Sequence, residues 1–202
     1  SGMIDESRIR LIRGSGVDCS RFASRTGRPS DTPMRVLFAA RLLWDKGLAE
    51  YVDAARTLKA QGRNMRFLVA GDPDPGNPAS VPEAFMEQGR KEGVVEWLGH
   101  VDDMPALLSR VDVVALPSYR EGLPRTLVEA AACGLPLIAT DVPGCREVVT
   151  HEVDGLLVPA RDSEALARAM ARIQDDPGLA ERLGSAARAK AQREFDERIV
   201  IE

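Results

Sequence analysis

Asp112-Val-Val-Ala-Leu116-Pro-Ser-Tyr-Arg-Glu121-Gly-Leu-Pro-Arg-Thr-Leu-Val-Glu129-Ala-Ala-Ala-Cys133-Gly134-Leu-Pro136-Leu137-Ile-Ala-Thr140 runs strand, loop, helix and strand without a break. Asp112–Leu116, apolar from Val113 onward, and Leu137–Thr140, apolar as far as Ala139, do not alternate with polar residues, so both read as strands covered on two faces. Between them, Thr126–Cys133 has helical spacing. Pro124 stands near its start, and Gly134 followed by Pro136 stops it. Two buried strands joined through a helix make a unit of a parallel sheet with a right-handed crossover.

The same alternation continues outward. Upstream, Val36–Ala40 and Phe67–Ala70 are apolar runs, and Val94–Leu98, apolar but for Glu96, reads as a further strand. The spacing predicts helices over Leu48–Ala60, Val81–Lys91 and Met104–Ser109, the first with Leu48, Val52, Ala55 and Leu58 on one stripe. Downstream, Leu156–Val158 lies between Gly155 and Pro159 as a sixth strand. Helices over Ser163–Gln174 and Leu179–Glu194 follow, the first with Ser163 as expected N-cap. The expected fold is α/β: a Rossmann-like, doubly wound parallel sheet of about six strands over residues 34–202. Residues 1–33 are rich in Arg, Gly, Ser and Pro, with a short strand expected at Ile9–Ile12. They read as a linker or the remnant of an inter-domain region. Sheets of this kind bind ligands at the carboxyl ends of their strands. Chemistry is therefore sought just after Ala40, Gly71, Leu98, Leu116 and Thr140.

Composition narrows the function classes. Aromatics are 4% of the chain, so the core must be built from Leu, Val, Ile and Ala. The formal net charge of -4 does not give the basic footprint of a nucleic-acid binder. The cysteines are Cys19, Cys133 and Cys145, odd in number and without a CxxC pair, which points to neither a disulfide framework nor a zinc site. A reducing, cytoplasmic setting fits them. The longest apolar candidate, Thr126–Thr140, is interrupted by Glu129, Gly134 and Pro136 and falls short of the roughly 18 residues of a membrane span. No signal peptide is legible.

Two strand ends carry candidate chemistry. After the first strand come Arg41 and, at the start of the next helix, Lys46-Gly47. Two cations beside a helix N-terminus suit an anion, Arg by a bidentate fork and Lys as a point charge. Two solvated surface charges are the other reading. After the fourth strand, Glu121 lies in the loop and Glu129 lies about one turn into the helix. Gly122 permits close approach of a ligand to the backbone. A carboxylate at Glu129, on a helix of small residues, would be costly to bury without partners, and the paired hydroxyls of a ribose would supply them. A capping glutamate and a solvated helix glutamate would show the same spacing. Thr140–Glu147 reads as a connecting turn into a short helix. His100 follows a strand end and can face the crevice, though a lone histidine is more often structural. Asp102-Asp103 reads as a helix N-terminal charge pair.

Taken in order, these segments resemble the C-terminal, nucleotide-sugar-binding domain of GT-B glycosyltransferases of family 4, the glycosyl transferases group 1. The resemblance rests on Gly16-Val17-Asp18 with Phe22, Arg41 with Lys46-Gly47, Val69-Ala70-Gly71, Leu98-Gly99, Leu116-Pro117-Ser118 and Glu121-Gly-Leu-Pro through Glu129. It continues through Ala132–Pro136, Val142-Pro143-Gly144 with Glu147, and Asp154–Pro159, spanning about residues 14–195.

The resemblance implies a retaining hexosyltransferase. It would move a hexose or N-acetylhexosamine from a nucleotide-diphosphate sugar, UDP favoured, to a glycan or lipid-linked acceptor in polysaccharide or lipopolysaccharide biosynthesis. It implies that Arg41 and Lys46 hold the diphosphate and that Glu121 contacts the sugar hydroxyls. Backbone groups around Gly122, Leu123 and Pro124 would face sugar and phosphate, although Pro124 has no N–H to give. Glu129 would hold the ribose, and the base would lie near His100 and Val101. Neither metal nor cofactor is expected. The partner is an N-terminal acceptor domain of the same protein, expected to be missing here. The chain alone is thus expected to bind nucleotide but to transfer sugar poorly or not at all, and the full-length enzyme could lie on the inner membrane surface. Other GT-B enzymes (a nucleotide-sugar epimerase or a phosphorylase-like protein) and a non-enzymatic nucleotide-binding Rossmann module are the rival readings.

Overall fold

A computed structural model describes residues 16–22 and 32–200. The strands are β1 (Met34–Ala39), β2 (Met65–Ala70), β3 (Glu96–Gly99), β4 (Val113–Leu116), β5 (Leu137–Thr140) and β6 (Leu156–Val158). They form one all-parallel sheet in the order β3-β2-β1-β4-β5-β6. The helices are α1 (Leu48–Ala60), α2 (Glu83–Lys91), α3 (Met104–Leu108), α4 (Arg125–Ala132), α5 (Pro143–Val148), α6 (Ser163–Asp175), α7 (Pro177–Glu194) and α8 (Glu197–Val200). The chain builds outward from β1 to β3, then returns to β4 on the other side of β1 and builds outward again. That reversal puts a crevice at the carboxyl ends of β1 and β4.

The Rossmann-like fold expected from the apolar runs is the fold observed. Successive residues of β1 face opposite layers, as the strand period requires. Val36 and Phe38 pack with α1 and α6, while Leu37 and Ala39 pack with α4. Helix α7 crosses from one layer to the other, giving Leu179 and Leu183 to the first and Ala187 and Ala191 to the second. Burying each such Leu or Val is worth about 1.5–3 kcal/mol.

Three local expectations are corrected. Val94 and Val95 are not strand residues: both N–H groups donate to the Gly89 carbonyl, closing α2, and their side chains fill the first core layer. The strand starts at Glu96. The N-cap of α6 is Asp162, whose Oδ1 accepts from the Ala165 N–H at 2.8 Å, so Ser163 is the first helical residue. Helix α4 begins at Arg125, capped by Pro124.

Of the leading stretch read as a linker, residues 16–22 are packed into the domain. Val17 donates to the Phe195 carbonyl at 2.9 Å, and Val17, Cys19 and Phe22 are buried in the second core layer. The strand expected at Ile9–Ile12 lies outside the described residues. Beside this contact the Asp196 carboxylate accepts from the Arg198 backbone and guanidinium, which hold it well down, at about 2. All three cysteines are free and buried, and burial pushes each thiol up to about 11. Among the described residues no helix is long and apolar enough to cross a membrane.

Candidate functional site

The chain leaves β1 through Arg41 and turns tightly at Trp44–Lys46 before entering α1. Gly47 ends that turn with a φ of +78°, and a Cβ there would stand 2.0 Å from the Pro117 carbonyl oxygen. Only glycine lets this turn lie so close to the exit of β4. The close approach brings Lys46 to Glu121: Nζ donates to Oε1 at 2.8 Å, both side chains largely buried. The loop carrying Glu121 is seated from the other side by α5. A Cβ on Gly144 would meet the Gly122 carbonyl oxygen at 2.1 Å and that of Glu121 at 2.3 Å. The turn after β5 is thus the floor under the Glu121 loop.

Helix α4 carries Glu129, which is 8% exposed and accepts from the exposed Arg125 Nε at 2.8 Å. Its first turn is tied to the end of β1 by Thr126, whose hydroxyl donates to the Ala39 carbonyl at 3.0 Å. Arg41 is exposed, with Nη1 3.3 Å from Asp74 Oδ2. The same Asp74 oxygen accepts from the Asn77 side-chain amide at 3.2 Å. His100 is exposed and stands 3.1 Å from Asp102 Oδ1 through Nε2.

These residues line two adjoining clefts at the crevice. One, of about 310 Å³, is lined by Arg41, Asp72, Asp74, His100, Val101, Met104, Thr126 and Glu129, with the ends of β1 and β2 as its floor. The other, of about 560 Å³, is lined by Arg41, Asp45, Lys46, Asn77, Arg120, Glu121 and Gly122. Arg41 lines both. The first thus offers a partly apolar slot ending in a buried carboxylate, and the second a polar basin with cations and carboxylates. A molecule with a flat hydroxylated end, a central anion and a second hydroxylated end would find complementary groups in that order.

The profile of the family described as "Glycosyl transferases group 1" matches residues 21–190. The chain belongs to that family. A glycogen synthase of Mycobacterium tuberculosis is 31% identical over 193 residues, which cover 93% of this chain and 45% of that protein. The amylovoran biosynthesis glycosyltransferase AmsK of Erwinia amylovora is 30% identical over 192 residues, covering 91% of this chain and 46% of its own. The structure of Anabaena HepE in complex with UDP-glucose superposes with a TM-score of 0.79 at 27% identity, covering 92% of this chain and 53% of that one. The chain spans about half the length of the curated relatives it matches.

Within this group 1 glycosyltransferase chain, Arg41, Lys46, Glu121, Gly122, Glu129, His100 and Val101 all line the paired clefts. Leu123 and Pro124 line neither: Leu123 packs against the second core layer, and Pro124 is buried as the cap of α4. Sequence reading passed over Asp72, Asp74, Asn77 and Thr126. The run Gly71-Asp72-Pro73 at a strand's carboxyl end carried a positional signal for the first two. Nothing in the spacing marks Asn77.

Proposed function

We propose that this chain is the donor half of a retaining glycosyltransferase that takes a nucleotide-diphosphate sugar, UDP favoured. The observation that carries it is the pair of clefts sharing Arg41. The slot with Glu129, His100 and Val101 takes the nucleoside, with Glu129 accepting from ribose hydroxyls. Arg41 and Lys46 take the diphosphate between the clefts, and Glu121 takes hydroxyls of a hexose or N-acetylhexosamine. The complex of the Anabaena relative with UDP-glucose supports a donor of this class.

The assigned reaction breaks the bond from the anomeric carbon to the β-phosphate oxygen, and that oxygen keeps the electron pair. The acceptor's hydroxyl oxygen bonds to the anomeric carbon, and its proton passes to the departing diphosphate. Charge builds on the diphosphate, so fixed cations facing it lower the barrier, a contribution of about 3–4 kcal/mol for one well-placed donor. We assign that work to Arg41 and Lys46, with no metal ion in the scheme. In free protein Lys46 is paired with Glu121, so the arriving phosphate must draw Lys46 away while the sugar hydroxyls satisfy Glu121.

Acceptor recognition is assigned to the other half of such a protein. The proposed acceptor is a glycan or lipid-linked saccharide of envelope polysaccharide assembly, handled on the cytoplasmic side. Saturation-transfer NMR tests the donor reading. With UDP-glucose or UDP-N-acetylglucosamine, base, ribose and hexose protons all receive saturation from the chain, and the Arg41→Ala/Glu129→Ala variant abolishes it. Absence of transfer to any nucleotide sugar from the unmodified chain overturns the reading.

A further inference from the structure

Two residues before Glu121, Tyr119 is tied down from three directions. Its N–H donates to the Asp45 carbonyl at 2.8 Å, next to Lys46. Its hydroxyl donates to Glu50 Oε1 at 2.7 Å, in the first turn of α1. The Arg161 guanidinium lies over its ring, 4.5 Å from the centroid. Arg161 reaches it from the turn between β6 and α6 with a φ of +60°, a left-handed conformation uncommon for a residue with a side chain. The second carboxylate oxygen of Glu50 is buried without a hydrogen-bond partner. Neither Tyr119, Glu50 nor Arg161 lines the clefts.

We propose that Tyr119 is a positioning residue: with Glu50 and Arg161 it locks the loop carrying Glu121 against the turn carrying Lys46. The two charged side chains come from segments far apart in sequence, Lys46 from the short turn before α1 and Glu121 from the loop after β4. Tyr119 joins those segments at two points, through its backbone N–H to the Asp45 carbonyl beside Lys46 and through its hydroxyl to Glu50 in the first turn of α1. Burial and the neighbouring Glu50 carboxylate push the phenol up to about 12, so the hydroxyl remains a donor at neutral pH. The consequence for catalysis, a fixed spacing between phosphate and sugar contacts, rests on the donor reading above. The brace itself does not.

Trace acetylation of lysines, read peptide by peptide by mass spectrometry, tests the brace without any ligand. Lys46 is largely buried and paired with Glu121 in the unmodified chain, so slow labelling is expected there. In Tyr119→Phe, Lys46 labels roughly five-fold faster or more, the factor expected when one hydrogen bond is lost and its acceptor stays buried. Lys190, comparably buried beside Asp154 on α7, keeps its rate and reports that the domain as a whole is intact. Glu50→Gln retains an acceptor for the hydroxyl and keeps Lys46 near its original rate. An unchanged Lys46 rate in Tyr119→Phe overturns the proposal, as does a parallel rise at Lys190. If Lys46 alone is released yet the unmodified chain binds no nucleoside diphosphate, the brace stands and the donor reading falls.

Discussion

Replacing Glu129 by alanine separates a ligand-binding carboxylate from a structural one. The side chain is nearly buried and is paired with Arg125, whose own side chain is 69% exposed. An ion pair with so exposed a partner is worth about 0–1 kcal/mol, so its loss leaves the melting temperature within about 4 °C. A carboxylate has about four acceptor positions, and Arg125 occupies one, which leaves room for both ribose hydroxyls. A hydrogen bond to a charged group is worth about 1.5–3 kcal/mol, or about 10- to 150-fold in affinity. The assay is calorimetric titration of UDP, 2′-deoxy-UDP and 3′-deoxy-UDP into the unmodified chain and into Glu129→Ala, analysed as a double-mutant cycle. The unmodified chain should lose that much affinity when a hydroxyl is removed from the ligand, and Glu129→Ala should show no such loss. An equal deoxy penalty in both proteins would refute the assignment of Glu129 to the ribose.

Lys46→Met and Glu121→Gln should change the affinity for bare UDP in opposite directions: the first removes a cation and weakens binding by about ten-fold or more, and the second frees Lys46 from its partner and strengthens it, both read by calorimetry. A shared sign would contradict the competition between phosphate and Glu121 for Lys46. Gly47→Ala should destabilise the domain by about 2 kcal/mol or more, from its φ of +78° and the 2.0 Å approach to Pro117, and a melting temperature equal to that of the unmodified chain would contradict the close packing of the two loops. Asp196 has its folded-state value depressed to about 2, so its contribution is fully present above the ordinary carboxylate value of 3.8 and is lost as pH falls toward 2. The stability difference between the unmodified chain and Asp196→Asn, from urea unfolding, should therefore be largest near neutrality and shrink between pH 4 and pH 2.

The sheet was legible because most of its strands are built on short apolar runs that alternate with helical spacing, the pattern of a parallel sheet covered on both faces. Reading faltered where an apolar residue served a different end. Val94 and Val95 look like strand but plug the end of α2, and the difference lies in which carbonyl their N–H groups reach. Val17 and Phe22 carried part of the resemblance, but their packing into the domain could not be read, because Val17 pairs with Phe195, far away in sequence. At the site, Arg41, Lys46, Glu121 and Glu129 could be chosen from strand-end position and residue chemistry. Their pairing could not, since the Lys46–Glu121 contact is created by Gly47 and Gly144 drawing three loops together. Asp74 and Asn77 sit in a Pro/Gly-rich loop with no period to place them, so the approach of Asp74 to Arg41, with Asn77 on the same carboxylate, shows only in three dimensions.

The central claim is that the crevice between β1 and β4 binds the nucleotide part of a sugar donor. Its most direct test is calorimetric titration of UDP, GDP and ADP into the purified chain, with Arg41→Ala/Glu129→Ala as control. Saturable one-to-one binding of UDP in preference to the other two, lost in the double variant, is the predicted result. Undiminished nucleotide binding in the double variant would contradict it.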